Sequence, residues 1–537
     1  MSGLSSRRLD LRRAVGGCAG SVSGMVAPSS AGSGAAPAAC SAPARIGVGI
    51  LGGGTVGAAL VGLLDERRAE IAARCGVELV PVAVAVRSPD RPRPGVPADL
   101  LTGDAAAVVA HPDTDVVVEL IGGIEPAREL LLAALAAGKP VVTANKEVLA
   151  DHGAELFAAA RAAGVDLLFE AAVGGAIPLV RALRESLAGE SVRRIMGIVN
   201  GTTNYILSRM TTAGASYLDA LAEAQALGYA EADPRADVEG HDAAAKAAIM
   251  AAIVFGAEVT AADVYCEGIS TLSAGDITFA RRLGHVIKLL AIVERTDGDV
   301  SQADGASNGG SGAGEKNGAG GMGGPNATSS ARASEERSSA SPHPPGCDDS
   351  SPRTEEQIGA PAPAAGAPTV AVRVHPAMVP EDHPLAAVRD SFNAVFVEGD
   401  AAGELMLYGR GAGGRPTASA VLGDLIDAAV NLRAGAAGKP PPTAPARIHP
   451  IDELHTAYYL ELEVIDRPGV LAAVAGVFGR CGVSIRSMEQ EGLGEEARII
   501  FITHVARERD MRATLEELRH LEAVRQVGSV LRVIADE

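Results

Sequence analysis

The chain has 537 residues, enough for two to four domains, and 47% of them are hydrophobic, enough to build cores. A net charge of −19 argues against a general nucleic-acid binder, which needs a basic face to displace counterions. Six scattered cysteines, with no C-x-x-C pair and no clustered His/Cys ligands, disfavour zinc and disulfide frameworks and fit a reducing compartment; no apolar run approaches the roughly 18 to 20 residues that span a bilayer.

Residues 1–44 are rich in Ser, Ala, Gly and Arg with one acid, Asp10. They read as a disordered extension, which places the protein in the cytoplasm, or as a transit peptide, which would make it organellar. Structure is expected from Arg45. Ile46–Leu51 is a short apolar strand, followed by a glycine turn and an Ala/Leu-rich helix to about Arg74. Further strands are expected at 79–86, 116–121 and 140–143, with helices between them, notably 126–137. Strands alternating with helices predict a parallel, doubly wound sheet, an α/β domain over 45–169. Asp166–Ala172 opens a second, α+β domain for catalysis and dimerisation, over 170–296 and 369–433, with a strand at 194–199 and a helix at 242–255. Its last helix, about 417–433, is expected to return to the first domain. Between its halves, residues 297–368 collapse into Gly, Ser, Ala and Pro and read as a disordered insertion. Residues 434–456 read as a Pro/Ala/Gly linker. Residues 457–537 form a βαββαβ unit, the ferredoxin-like order.

Gly52-x-Gly54-x-x-Gly57 directly follows a strand and opens a helix. Gly52 permits the tight turn, Gly54 lets the backbone approach a pyrophosphate, and Gly57 allows close helix–strand packing. Thr55 and Val56 then stand at a helix N-terminus whose free N–H groups suit phosphate. The second strand ends in Arg87 rather than the acid that binds a ribose 2′-hydroxyl, and an arginine there suits a 2′-phosphate. The expected cofactor is NADP(H), with NAD(H) as the alternative.

Only six of the 47 Lys and Arg residues are lysines, at 139, 146, 246, 288, 316 and 439. A lysine that remains is a candidate for a task closed to arginine, giving up and regaining a proton. Lys246 closes an acidic stretch carrying Glu231, Asp233, Asp237, Glu239 and Asp242, and Asp242 and Lys246 share one helical face. Lys146 follows a buried strand, at the carboxyl edge where ligands gather in such sheets. Lys139 reads as a solvated turn lysine, and Lys288 as a buried structural ion in an apolar helix pattern. His241 precedes Asp242 on another helical face and reads as solvated or structural. No histidine pattern neighbours Cys266, so a thiohemiacetal route is not supported.

The run from Ala224 through Gly228-Tyr229-Ala230-Glu231, Asp233-Pro234, Asp237-Val238, Gly240 and Asp242 to Lys246 resembles the signature of homoserine dehydrogenase. Asn200–Leu207, Thr143–Lys146, Glu170–Pro178 and Gly409–Gly413 also resemble segments of that family. The resemblance implies interconversion of L-homoserine and L-aspartate 4-semialdehyde with NAD(P). It implies Lys246 as proton donor/acceptor, Lys146 as a binding or second acid/base lysine, and Glu231, Asp237 and Asp242 as substrate-binding or orienting groups. Which lysine moves the proton stays open. Gly122, Lys146 and Gly411 join the cofactor site by the same resemblance. Glu170, with the carbonyls of Val173, Gly175 and Ile177, resembles a monovalent-cation (Na⁺) site, although Ala176 stands where a glycine is common in the family.

The tail resembles an ACT domain, carried by Asp466-Arg467-Pro468-Gly469-Val470-Leu471. Proline suits a first helical turn. Asp466, Gly469 and Val470 are the expected effector contacts, with L-threonine as expected feedback inhibitor. A homodimer or homotetramer is expected, with no nucleic-acid or membrane partner. No aspartate-kinase module precedes the glycine turn, which suggests the monofunctional form.

Overall fold

The computed structural model describes residues 42–296, 367–438, 440–492 and 496–534. Apart from their last residues, the expected extension (1–44) and insertion (297–368) lie outside the described residues.

Six parallel strands, β1 (Ala44–Leu51), β2 (Val77–Ala85), β3 (Leu101–Thr102), β4 (Val116–Glu119), β5 (Val141–Thr143) and β6 (Leu167–Leu168), form one sheet in the order β3-β2-β1-β4-β5-β6. All four residues of β4 are fully buried, as expected of a strand covered on both faces. Strand order reverses between β1 and β4, and that switch point places a ligand crevice at the carboxyl ends of the strands. The 166–172 segment, expected to start the second domain, still contributes β6 to this sheet and then turns through a short 3₁₀ helix, Glu170–Ala172. The first helix is two, Thr55–Glu66 and Arg68–Cys75, because Arg67 leaves helical geometry (φ −108°, ψ 7°). The helix Gly414–Ala434 buries Ala418, Val421, Leu422, Leu425 and Ala428 in the same core as Ile50 and Leu60.

The second sheet is antiparallel through Gly403–Arg410, Phe392–Gly399, Val192–Ile198, His285–Arg295 and Thr369–Pro380. The helices Gly201–Ala213 and His241–Phe255 pack on it. Lys288 lies in a strand rather than a helix. It is 4% exposed, and its Nζ donates to Asn204 Oδ1 (2.9 Å) and the Val388 carbonyl. Its apolar neighbours belong to a strand buried on both faces, a pattern that short runs do not distinguish from a helix. Lys139 is not solvated: its Nζ caps the helix Ala105–Ala110 through the carbonyls of Val109 (2.6 Å) and His111 (3.0 Å).

The tail follows βαββαβ, with strands His455–Ile465, Ile485–Gly492, Glu496–Thr503 and Val524–Val533 and helices Val470–Arg480 and Glu508–Arg519. In the sheet the fourth strand lies beside the first, then the third and the second. Tyr458, Leu460 and Leu462 face the two helices, and Tyr459, Ile500 and Leu531 on the other face join the core of the second domain. The last strand also extends the second sheet, pairing Ala377 with Arg532 and Met378 with Val533. Arg532 is 6% exposed and bonds Glu267 (2.9 Å) and Glu508 (2.8 Å). The expected 434–456 linker is tied down: Ala444–Pro445 pairs with Ala257–Glu258, Arg447–Ile448 with Thr369–Val370, and the Pro441 carbonyl accepts from Arg161 (2.8 Å). Proline and glycine there shape an ordered strap.

Candidate active site

Three helix N-termini converge beyond the carboxyl edge of the parallel sheet. Lys146 opens the helix Lys146–Ala163 after β5, with Asn145 as its N-cap. Asn200 caps Gly201–Ala213. Asp242 lies in the first turn of His241–Phe255. Each terminus carries partial positive charge and unpaired N–H groups, a setting that favours a carboxylate.

Asp242 is the centre of the cluster. One carboxylate oxygen accepts from Lys146 Nζ. The other accepts from Lys246 Nζ (2.6 Å) and Asn200 Nδ2 (2.9 Å). Asn200 Nδ2 also donates to Asp237 (2.7 Å), and Lys246 Nζ to the Val199 carbonyl (2.6 Å). Asp242 is 7% exposed. Burial alone would push its pKa up, but the charges of Lys246 and Lys146 outweigh burial and hold it well below the usual carboxylate range. Burial would lower the pKa of Lys146, and the Asp242 charge reverses this and raises it. The Lys246 side chain is 12% exposed and that of Lys146 35%, so Lys146 stands nearer the opening.

The structure brings Lys146, Lys246, Asp242 and Asp237 together. It does not bring in Glu231, which is exposed and engages only its backbone carbonyl, accepting from Gln225. That acid sits in an irregular stretch after the turn at Gly228, outside any helix that would aim it. His241 is exposed. The Cys266 thiol, pushed up to about 11 by burial and then by Glu239 and Glu267, is no nucleophile at neutral pH. Two supporting groups escaped the sequence reading. Asn200, whose signal was a helix-capping residue ahead of a glycine, joins both aspartates. Glu119, a lone acid ending an apolar strand, accepts from Ile121 N (2.7 Å), Gly122 N (3.2 Å) and Thr143 Oγ1 (2.6 Å), binding the ends of β4 and β5 together.

The glycine turn fits a dinucleotide. Gly52 has φ +112°, and a Cβ on it would stand 2.5 Å from the Leu120 carbonyl; one on Gly57 would stand 2.0 Å from the Gly52 carbonyl. Gly54 and Gly122 open onto free space, where backbone can meet phosphate. Thr55 is exposed and Val56 half-buried at the helix start. The Thr55 side chain lies against Gly414, so a second helix begins beside the same turn. Arg87 is exposed just beyond β2, and Arg93 Nη1 holds the Gly53 carbonyl (3.0 Å). Gly411 packs closely, a Cβ on it falling 2.1 Å from Asn393 Nδ2, and its own carbonyl crowds Gly175.

Glu170 is 4% exposed and accepts from the N–H groups of Val180 (2.8 Å) and Arg181 (2.9 Å). Burial raises its pKa and pushes that of Asp424, bonded to its own N–H, to about 7. Two buried carboxyl groups share one guanidinium, Arg181, beside the loop expected to hold a monovalent cation. Among the described residues no three His, Cys, Asp or Glu side chains gather as metal ligands, so such an ion would rest on Glu170 and main-chain carbonyls. Ala176 avoids positive φ, and its N–H donates to the Arg410 carbonyl (3.0 Å), so the loop tolerates its methyl group.

Comparison with known proteins gives the same picture. Residues 178–319 and 353–426 match the family model "Homoserine dehydrogenase", residues 52–170 match "Homoserine dehydrogenase, NAD binding domain", and residues 458–523 match "ACT domain". The chain is 46% identical to the homoserine dehydrogenase of Corynebacterium glutamicum, over 91% of this chain and 96% of that protein. It is 44% identical to that of Mycobacterium tuberculosis, over 91% and 97%.

The chain belongs to the homoserine dehydrogenase family.

A solved homoserine dehydrogenase from Thiobacillus denitrificans superposes with a TM-score of 0.74 at 38% identity, covering 91% of this chain and 98% of that one. One from S. aureus superposes at 0.64 with 28% identity, covering 92% and 99%. The protein is thus an NAD(P)-dependent oxidoreductase acting on a CH–OH group, with an ACT domain at its C-terminal end. Among the described residues no helix is long and apolar enough to cross a membrane.

Proposed function

We propose that the enzyme reduces L-aspartate 4-semialdehyde to L-homoserine, reversibly and with preference for NADP(H), in the route to threonine, methionine and isoleucine. The observation that carries the chemistry is Asp242 bridging two lysines beside the dinucleotide sheet. The turn Gly52–Gly57 would hold the dinucleotide, whose nicotinamide would supply or accept the hydride. Lys246, held at both Asp242 and Val199, gives its proton to the developing alkoxide and takes it back in the reverse direction. Lys146, nearer the opening, binds the substrate and steadies the oxygen. Asp242 orients both ammonium groups, and Asp237 meets the substrate ammonium from its seat on Asn200. Glu231 contributes only if the stretch it occupies closes over bound substrate.

Arg87 faces the cofactor's 2′-phosphate; its exposure, with no partner among the described residues, supports that role. The buried Glu170 carboxyl group, which shares Arg181 with Asp424, supports a sodium ion held by Glu170, Val173, Gly175 and Ile177. An edge strand with exposed Leu405, Met406 and Tyr408 supports a homodimer, doubled in a tetramer. Bacterial relatives support a cytoplasmic location. L-Threonine acts as feedback inhibitor at Asp466, Gly469 and Val470. Gly469, the N-cap of Val470–Arg480 with φ +92°, opens onto free space, and the N–H groups behind it suit a carboxylate. Pro468 lies outside that helix, just before its cap, rather than in the first turn.

The direct test is appearance of reduced nicotinamide when L-homoserine is mixed with NADP⁺ or NAD⁺, with and without L-threonine. Turnover with NADP⁺ favoured and threonine inhibitory is expected. Failure with both cofactors would refute the activity, and activity indifferent to threonine would refute the effector.

A further inference from the structure

A cavity of about 700 Å³ lies between the helix-free face of the ACT sheet and residues 267–273 of the catalytic domain. It is separate from the Lys146–Asp242–Lys246 cluster and lies on the opposite side of the ACT sheet from the helix that Gly469 caps. Its size suits a small molecule. The lining is polar and one-sided in charge. Glu239, Glu267, Glu461 and Glu463 line it against a single cation, Arg498. Arg498 is already engaged by Glu461 (2.7 Å) and approached by Glu463 (3.7 Å). Arg532 answers Glu267 from outside the lining (2.9 Å). Even with Arg532 counted, carboxylates exceed cations by two, four against two. The Glu239 carboxylate has no hydrogen-bond partner among the described residues.

Polar atoms in and behind the wall lack hydrogen bonds: Arg498 Nε, although Glu461 lies 2.7 Å away, and two atoms buried behind the lining. Glu461 is 8% exposed, and burial raises its pKa. Tyr459 stands two residues along the strand, on the same face. Its hydroxyl is buried with no partner, and so is Oδ1 of Asp276, whose other oxygen holds Ser273 in the lining. Buried polar atoms without partners are costly, and the excess of carboxylates on the lining is what a cationic donor would offset.

We propose that this cavity binds a small cation carrying a primary ammonium group, of the kind found on a basic amino acid or a diamine. An ammonium offers three donors and no acceptor, which matches a wall of carboxylates and hydroxyls. A neutral zwitterion brings no net positive charge and would leave the anionic excess of the wall uncompensated. The cavity also touches, at Glu239, the segment that leads into the catalytic helix. A Cβ on Gly268 would stand 2.5 Å from the Val238 carbonyl, and Ile269 N donates to that same carbonyl (2.8 Å), four residues before Asp242. Occupancy therefore changes the KM for homoserine. That consequence rests on the proposed dehydrogenase reaction, whereas binding itself does not.

The test is calorimetric titration of the full-length protein with 1,4-diaminobutane, L-lysine and L-threonine. Saturable heat from one or both cations is expected, and which one binds names the source of the ammonium. Glu461→Gln and Glu463→Gln should each weaken it at least tenfold. Ser270→Trp, at the exposed rim, should abolish it without altering charge, and Asp466→Asn should leave it unchanged. No saturable heat with either cation would overturn the proposal. So would binding unaffected by the two glutamine variants and Ser270→Trp, or threonine binding with the same variant sensitivity.

Discussion

Replacing Asp242 with asparagine keeps size and shape and removes the one charge that two lysines share. At an effective dielectric of about 20, an ion pair at about 4 Å is worth about 4 kcal/mol. Lys246, 12% exposed, feels most of that; Lys146, 35% exposed, feels a screened share. Breaking a buried pair from one side costs about 3–5 kcal/mol, because the partner charge stays behind. Misplacing the proton carrier should therefore lower kcat/KM by about 10²–10⁴-fold, at roughly 1.4 kcal/mol per decade. The pH profile supplies an independent readout. Asp242 raises the pKa of Lys146 against burial, so its loss leaves burial to lower it. In aldehyde reduction, where a charged lysine is needed, the alkaline limb should move to lower pH. Stability gives the sign in the other direction. A carboxylate depressed in the folded state contributes above its unfolded pKa of about 3.9 and loses that contribution as pH falls toward the folded value. The stability gap between wild type and Asp242→Asn should thus be full at neutral pH and shrink in acid. Steady-state kinetics across pH, with thermal melts on the same samples, measure both. A kcat/KM within about threefold of wild type, under 1 kcal/mol, with an unmoved alkaline limb would refute the reasoning.

Arg87→Asp should lower the NADPH/NADH ratio of kcat/KM by about 10- to 100-fold, the worth of a charge-assisted hydrogen bond; an unchanged ratio removes Arg87 from the cofactor site. Ending the chain after Ala434 should not yield an active, threonine-blind enzyme. It would strip Tyr459, Ile500 and Leu531 from the shared core and the Arg532 bonds from Glu267, so a lower Tm or aggregation is expected, and a stable, fully active truncation would contradict the continuous sheet. Tyr408→Glu with Met406→Glu should shift the protein to monomers in light scattering, and an unchanged mass would clear that strand of any role in assembly.

Much of the fold was legible because its signals are local. Apolar runs bounded by glycine, proline and charged turns marked β1, β4 and β5, and the βαββαβ order of the tail followed from alternating periods. Local signals also misled. Lys288 sits in a strand buried on both faces, where short apolar runs carry no distinguishing period. Proline and alanine in 434–456 suggested a free linker, yet three pairings with sequence-distant segments hold it. The site was half legible. Spacing placed Asp242 and Lys246 on one helical face, but the bond between Lys146 and Asp242 spans 96 residues. The bond of Arg532 to Glu267 spans 265. Such pairings depend on how the domains dock, which no local pattern encodes. Glu231 stands apart from the cluster for the opposite reason: membership of a dense acidic stretch says nothing about where the backbone aims each acid.

In the proposed reaction a lysine held by Asp242 moves the proton that accompanies hydride transfer, and Lys246→Arg isolates that step. Arginine keeps the positive charge and can still reach Asp242, but it cannot release a proton at working pH. Homoserine oxidation by this variant should fall about 10²–10⁴-fold in kcat, the range of general acid–base catalysis, with NADPH binding unchanged. Near-normal turnover would contradict the account.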